Sequence, residues 1–225
     1  MNDPRLHSMA EKLAQGLLDY GPGLSRLLLR IMRRLAQGRP VAREEVSRLI
    51  AELGLVEDEA QRFLQKIAER DAEGQILGIM GLSLNDSTHR LHLGKVTLSA
   101  WCAEDTLFLP AMLGQTATIE SRSPLSNQTI RLTVSPERVE TVSPAGAVLS
   151  IVVVDPTEES MASVQSIWTT FCNHIHFFPS RAEADQWAAG KANIAVIDVE
   201  EGFEFGRQVW SRVLPYAEHE TSRAA

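Results

Sequence analysis

At about residue 70 the spacing of apolar residues along this chain changes from a helical period to an alternating or continuous one. Before that point four segments carry apolar residues at helical spacing. Residues 8–20 present Met9, Leu13, Leu17 and Leu18, and Gly21-Pro22-Gly23 is expected to stop them. Residues 24–37 place Leu24, Leu27, Leu28, Ile31 and Leu35 on one stripe. Residues 42–53 bury Val46, Leu49 and Ile50, and residues 57–70 bury Ala60, Phe63, Leu64 and Ile67. After it, 76–84 and 89–93 read as a hairpin across Asn85-Asp86-Ser87-Thr88.

Three helices followed by a hairpin is a winged-helix pattern. The expected fold is therefore α+β: an N-terminal winged-helix-like helical module, residues 1–95, and then a mixed β-sheet core with flanking helices, residues 96–225. In the second part, 96–101 read as extended or as a helix start, and 102–113 as a helix containing Pro110. Residues 116–119, 129–134, 147–154 and 194–198 read as strands, and 171–178 as a β-rich run. Helices are expected over 161–170, from the capping box Ser180–Glu183 to Gly190, and over 201–214 with Pro215 helping to stop it. Residues 218–225 read as a frayed tail.

Charge narrows the function. Residues 1–100 carry 14 basic and 13 acidic groups, whereas 101–225 carry 8 and 16. An acidic C-terminal part does not suit a phosphate-gripping surface. The candidate recognition helix, 57–70, opens on Glu57-Asp58-Glu59, which would repel DNA at the end that enters the groove. No nucleic-acid partner is expected. No apolar run approaches the roughly 20 residues of a membrane span, and Met1–Arg5 lacks a signal-peptide pattern, so the expected place is the cytoplasm, away from membranes.

The two cysteines, Cys102 and Cys172, are too few for a disulfide framework or a four-cysteine zinc site. Were Ser99 to cap a helix, Cys102 would sit in its first turn, where the helix dipole favours a thiolate. Asp105, three residues on, would share its face, and Glu104 would turn toward water. On a strand, Cys172, His174 and His176 would project together, as framework or as a zinc or copper site. Inert core thiols are the bland alternative.

The segment Leu98–Pro110, with Trp101-Cys102-Ala103 and Asp105-Thr106-Leu107, resembles the first active-site segment of the alkylmercury (organomercurial) lyases. Phe171-Cys172-Asn173-His174-Ile175-His176-Phe177-Phe178 resembles their second. Leu35–Val41, Leu132–Pro136 and Val142–Gly146 are similar to further family segments, and the likeness runs from about Leu24 to Leu214. Asn173 and Ser123 stand where many members carry cysteines, so any auxiliary thiol role there is missing.

The resemblance implies a carbon–mercury bond cleaved by protonolysis, giving a hydrocarbon and Hg(II). Cys102, Asp105 and Cys172 would be the reacting and mercury-binding groups; Trp101 and Phe171 would either wall an apolar pocket for the organic group or simply pack in the core. It also implies no organic cofactor, Hg(II) as bound product, an organomercurial small-molecule substrate, and cytosolic thiols and a mercuric reductase as recipients of Hg(II). The chemistry suits the residue types: mercury is soft and prefers thiolate, and the departing carbon needs a held acid. A metal-sensing winged-helix regulator and a relative that binds without cleaving remain the alternatives.

Overall fold

A computed structural model describes residues 3–221. Helix α1 (Pro4–Lys12) is capped by Asp3, whose carboxylate accepts from the Arg5 N–H at 2.8 Å. It runs into a π-helical turn, Leu13–Leu17, closed by Leu18 N–H donating to Leu13 O at 2.8 Å. Gly21-Pro22-Gly23 begins α2 (Gly21–Leu35) where the sequence suggested a stop; proline is tolerated in a first helical turn because its missing N–H would be unpaired there. Helices α3 (Arg43–Glu52) and α4 (Glu57–Ile67) follow with the expected apolar faces.

The expected wing does not form. Residues 68–70 leave the helix as β1 (Ala68–Arg70), which pairs with β2 (Ile76–Ile79). The 76–84 run folds on itself through Met80-Gly81, so that β2 pairs with β3 (Leu82–Ser83). Strand β4 (His89–Leu93) pairs with β5 (Val96–Ala100) and β6 (Ala117–Arg122), not with the 76–84 run. With β7 (Thr129–Val134) and β8 (Val139–Ser143) these make one eight-stranded sheet of order β1-β2-β3-β5-β4-β6-β7-β8. Its strands come from both sides of residue 95.

A second sheet has order β10-β9-β11, from β9 (Val148–Val152), β10 (Phe177–Phe178) and β11 (Ile194–Asp198). Every strand pair among the described residues is antiparallel, which corrects the expected mixed sheet. Strand β8 lies within 115–155, a stretch that reads as mostly strand, although its own half-buried and exposed residues carry no apolar run.

Helix α5 (Asp105–Leu113) lies in the centre. All its residues except Ala111 are buried, as an apolar sequence without a polar face requires. It packs against α2 and against α8 (Val199–Val209). Gly202 and Gly206, one turn apart on α8, permit that approach: a Cβ on Gly202 would stand 3.0 Å from Leu107 Cδ1, and one on Gly206 3.2 Å from Phe108 Cβ. Helix α7 (Arg181–Ala188) packs on the small sheet, and α6 (Val164–Thr170) packs against the turn that follows it, residues 172–174. The last expected helix is two: α8 ends at Val209, and Pro215 lies in the first turn of α9 (Leu214–Thr221). Helix α9 extends to Thr221, into the stretch read as the tail; residues 222–225, like 1–2, lie outside the described residues.

Candidate active site

Ser99 is a strand residue whose hydroxyl accepts the Ser87 N–H, so it caps no helix. Cys102 therefore sits in the turn between β5 and α5 rather than in a first helical turn. That turn is pinned twice. Trp101 N–H donates to Gly81 O at 2.9 Å, and Ala103 N–H donates to Ile175 O at 3.2 Å. The second bond ties the first cysteine segment directly to the segment that follows the second cysteine.

Cys172 is not on a strand. Residues 172–174 form one tight 3-10 turn, and only Phe177 and Phe178 of the predicted β run are strand. Cys172, His174 and His176 consequently do not share a face. His174 is exposed, and the His176 ring bonds the Asn173 carbonyl at 3.1 Å. The segment is held from below by Ser150 of β9, whose hydroxyl donates to His174 O at 2.8 Å and accepts His176 N–H at 3.0 Å.

These supports bring Cys102, Asp105 and Cys172 together. One ligand atom from each lies within 4.8 Å of the others, and all three are buried. Among the described residues this is the one group of three or more histidine, cysteine or acidic side chains so placed, so the zinc or copper reading of Cys172, His174 and His176 has no geometric basis. Asp105 Oδ2 accepts the Cys102 N–H at 2.8 Å. Gly81 makes room for it: at φ +91°, a Cβ there would stand 2.6 Å from Asp105 Oδ1.

The three groups open on a cavity of about 80 Å³. Its walls are largely apolar, with Leu18, Ile151, Phe171, Phe205 and Trp210 and three thioethers, Met9, Met80 and Met161. Phe171 lines this cavity. Trp101 does not line the cavity; its ring meets Trp168 edge-on at 5.9 Å. Ser123 is buried against Glu183 of α7, away from the trio, and Asn173 is exposed.

Glu104 was expected in water and is instead buried in the cavity wall. Its Oε1 has no hydrogen-bond partner among the described residues. Gly206 leaves it space, since a Cβ there would come within 2.6 Å of that oxygen. The one local signal was the apolar run from Leu107 to Leu113: a helix buried all round carries its first polar residues inside with it.

Electrostatics follow from burial. Burial pushes the Asp105 carboxyl up to about 6, against the pull of hydrogen bonds from Cys102. Burial, with Asp105 beside it, drives Glu104 well above the usual carboxylate range. The Cys102 thiol is also pushed well up, by burial first and then by Cys172 and the two carboxyls. A hydrogen bond from Cys102 pulls Cys172 down, but burial and the carboxyls outweigh it and the net shift is upward. The expected helix-activated thiolate is thus replaced by two protonated thiols beside a carboxyl poised near neutrality.

Comparison with known proteins agrees. The alkylmercury lyase family model matches residues 82–211. An alkylmercury lyase of Staphylococcus epidermidis is 38% identical over 86% of this chain and 87% of its own. One from Pseudomonas putida is 32% identical over 95% of this chain and 96% of its own. A crystal structure of the mercury-bound form of MerB2 superposes with a TM-score of 0.72 at 28% identity, covering 92% of this chain and 99% of that one. The regulator reading is not favoured by any of these. With this likeness running through nearly the whole chain, the protein belongs to the alkylmercury lyase family.

Proposed function

We propose that this protein cleaves the carbon–mercury bond of organomercurials by protonolysis, with Cys102, Asp105 and Cys172 as the reacting groups. The observation that carries the reading is the convergence of two thiols and one carboxyl in a buried apolar cavity. Soft sulfur is the ligand mercury prefers, and apolar walls suit an organic substituent.

The substrate enters as an organomercury thiolate. Cys102 replaces the outgoing thiolate, and its proton leaves with that thiol. Cys172 gives its proton to the Asp105 carboxylate and joins the metal as a second thiolate. Added sulfur donation makes the mercury-bound carbon basic. Asp105, now a neutral acid, delivers its proton to that carbon, the hydrocarbon departs, and Hg(II) stays on the two sulfurs. A carboxyl titrating at about 6 can both accept and return a proton near neutrality. Phe171 packs beside the organic group, and Trp101 supports the Cys102 turn from outside the cavity.

No organic cofactor takes part in this reading. Cytosolic thiols remove the Hg(II), and a mercuric reductase is a fitting recipient. A cytoplasmic location fits that thiol supply; no helix among the described residues is long and apolar enough to cross a membrane. Residues 96–225 supply the reacting groups, and residues 1–95 contribute Met9, Leu13, Leu18 and Met80 to the cavity wall. The test is hydrocarbon release: phenylmercury with excess small thiol should yield benzene catalytically, and stoichiometric retention of intact phenylmercury would overturn the reading.

A further inference from the structure

A second depression lies directly behind the wall of the reaction cavity. It is a surface groove of about 440 Å³ between α4 and the segment before α6. Met161 lines both spaces. The π-helical turn separates them: Leu13 faces the cavity, while Gly16 and Leu17 face the groove. A Cβ on Gly16 would meet nothing within 4 Å, so the groove side of this turn is open. Groove and cavity thus share the Met161 side chain, and both draw on the same helical turn.

The groove carries charge of both signs. Arg62 and Lys66 project from α4, with Glu59 on the same helix and Glu158 opposite. All four are exposed, and among the described residues none has an ion-pair or side-chain hydrogen-bond partner. Arg62 and Lys66 are four apart on a helix, a like-charge spacing that costs the helix stability rather than adding to it.

The chemistry of release supplies a reason for such a groove. Hg(II) held by two thiolates leaves through thiol exchange. Two incoming thiols each bring one S–H. Each forms a sulfur–mercury bond as a protein sulfur–mercury bond breaks, and each proton passes to the departing Cys102 or Cys172 sulfur. Mercury remains Hg(II), and nothing is oxidised or reduced.

We propose that this groove is the docking site of the exchanging thiol, a small thiol of amino-acid character that carries both a carboxylate and an ammonium group. Its carboxylate meets Arg62 and Lys66, its ammonium meets Glu59 and Glu158, and its sulfur passes Met161 to the metal. The inference rests on the reading that Hg(II) sits on Cys102 and Cys172, though not on carbon–mercury cleavage itself.

The test loads the full chain with one equivalent of Hg(II) and follows its transfer to L-cysteine and to uncharged 2-mercaptoethanol, at low salt and matched thiolate concentration. The readout is the ratio of the two rates. In the parent, cysteine should be the faster, and added salt should reduce its advantage. Arg62→Gln/Lys66→Gln should lower the ratio about fivefold, the scale expected of two exposed charge contacts. Glu59→Gln/Glu158→Gln, whose substitutions touch a different part of the surface, should lower it as well. A ratio unchanged in both double variants overturns the subsite. A parent that passes Hg(II) to cysteine as described but yields no benzene from phenylmercury would overturn the lyase reading and leave the subsite standing. A parent that takes up no Hg(II) would overturn both.

Discussion

The backbone N–H of Cys102 donates to Asp105 Oδ2 at 2.8 Å, so the carboxyl is aimed by the residue whose thiol it stands beside. Burial works against that bond, and the carboxyl settles at about 6 instead of its ordinary value near 3.8. A group held there is ionised at neutral pH and can take a proton from Cys172.

This places the acid limb of the reaction. The account expects kcat/KM for phenylmercury to fall about tenfold per pH unit below roughly pH 6, as Asp105 becomes protonated at rest. Benzene release between pH 4.5 and 8 checks it. A flat profile through pH 6 would remove Asp105 from the role of acceptor.

The same shift has a cost in stability. The folded-state pKa of Asp105 is raised, so the native protein binds more protons than the unfolded chain between about pH 4 and 6. Stability contributed by this group therefore falls as pH rises through that window. Asp105→Asn keeps an acceptor for the Cys102 N–H and removes the charge. It should raise stability at pH 7 by on the order of 2 kcal/mol, lose that advantage near pH 4, and abolish benzene release. Urea unfolding at the two pH values is the measurement.

Glu104 obeys the same sign. Its pKa is raised by burial and by Asp105, so its cost grows as pH climbs above the ordinary glutamate range. Glu104→Gln should stabilise the fold more at pH 8 than at pH 5. Equal effects at both would mean that the carboxyl is hydrated and not buried as described.

Gly81 tests the geometry without replacing a reacting group. An added Cβ would press on Asp105 at 2.6 Å, and φ +91° disfavours any side chain. Gly81→Ala should lower kcat at least tenfold and cost about 1–3 kcal/mol of stability, with both cysteines still titratable by a thiol reagent.

The sequence made some of this legible. The helical stripes of α2, α3 and α4 and the strand character of β4 are local signals, and they appear as read. Ser180 does cap α7, accepting the Glu183 N–H at 3.3 Å. Other features depend on distant partners. Nothing within 76–93 says that Leu82 pairs with Ala100 rather than with the next strand. Cys172 looked like a strand residue because Phe177 and Phe178 beside it are one, but Ser150 captures the intervening backbone. Glu104 looked exposed because the space it occupies is created by Gly206, about a hundred residues away in sequence. The pairing of the two cysteines came from likeness to a family, since spacing in the chain contains no information on their convergence.

The most direct test of the central claim is a single turnover of stoichiometric phenylmercury without added thiol. The account predicts one benzene per parent protein, with Hg(II) retained and both Cys102 and Cys172 blocked to a thiol reagent. Cys172→Ser should hold intact phenylmercury on Cys102 and release less than a hundredth of the parent's benzene in the same time. Benzene at the parental rate from Cys172→Ser would contradict the two-thiol, one-carboxyl mechanism.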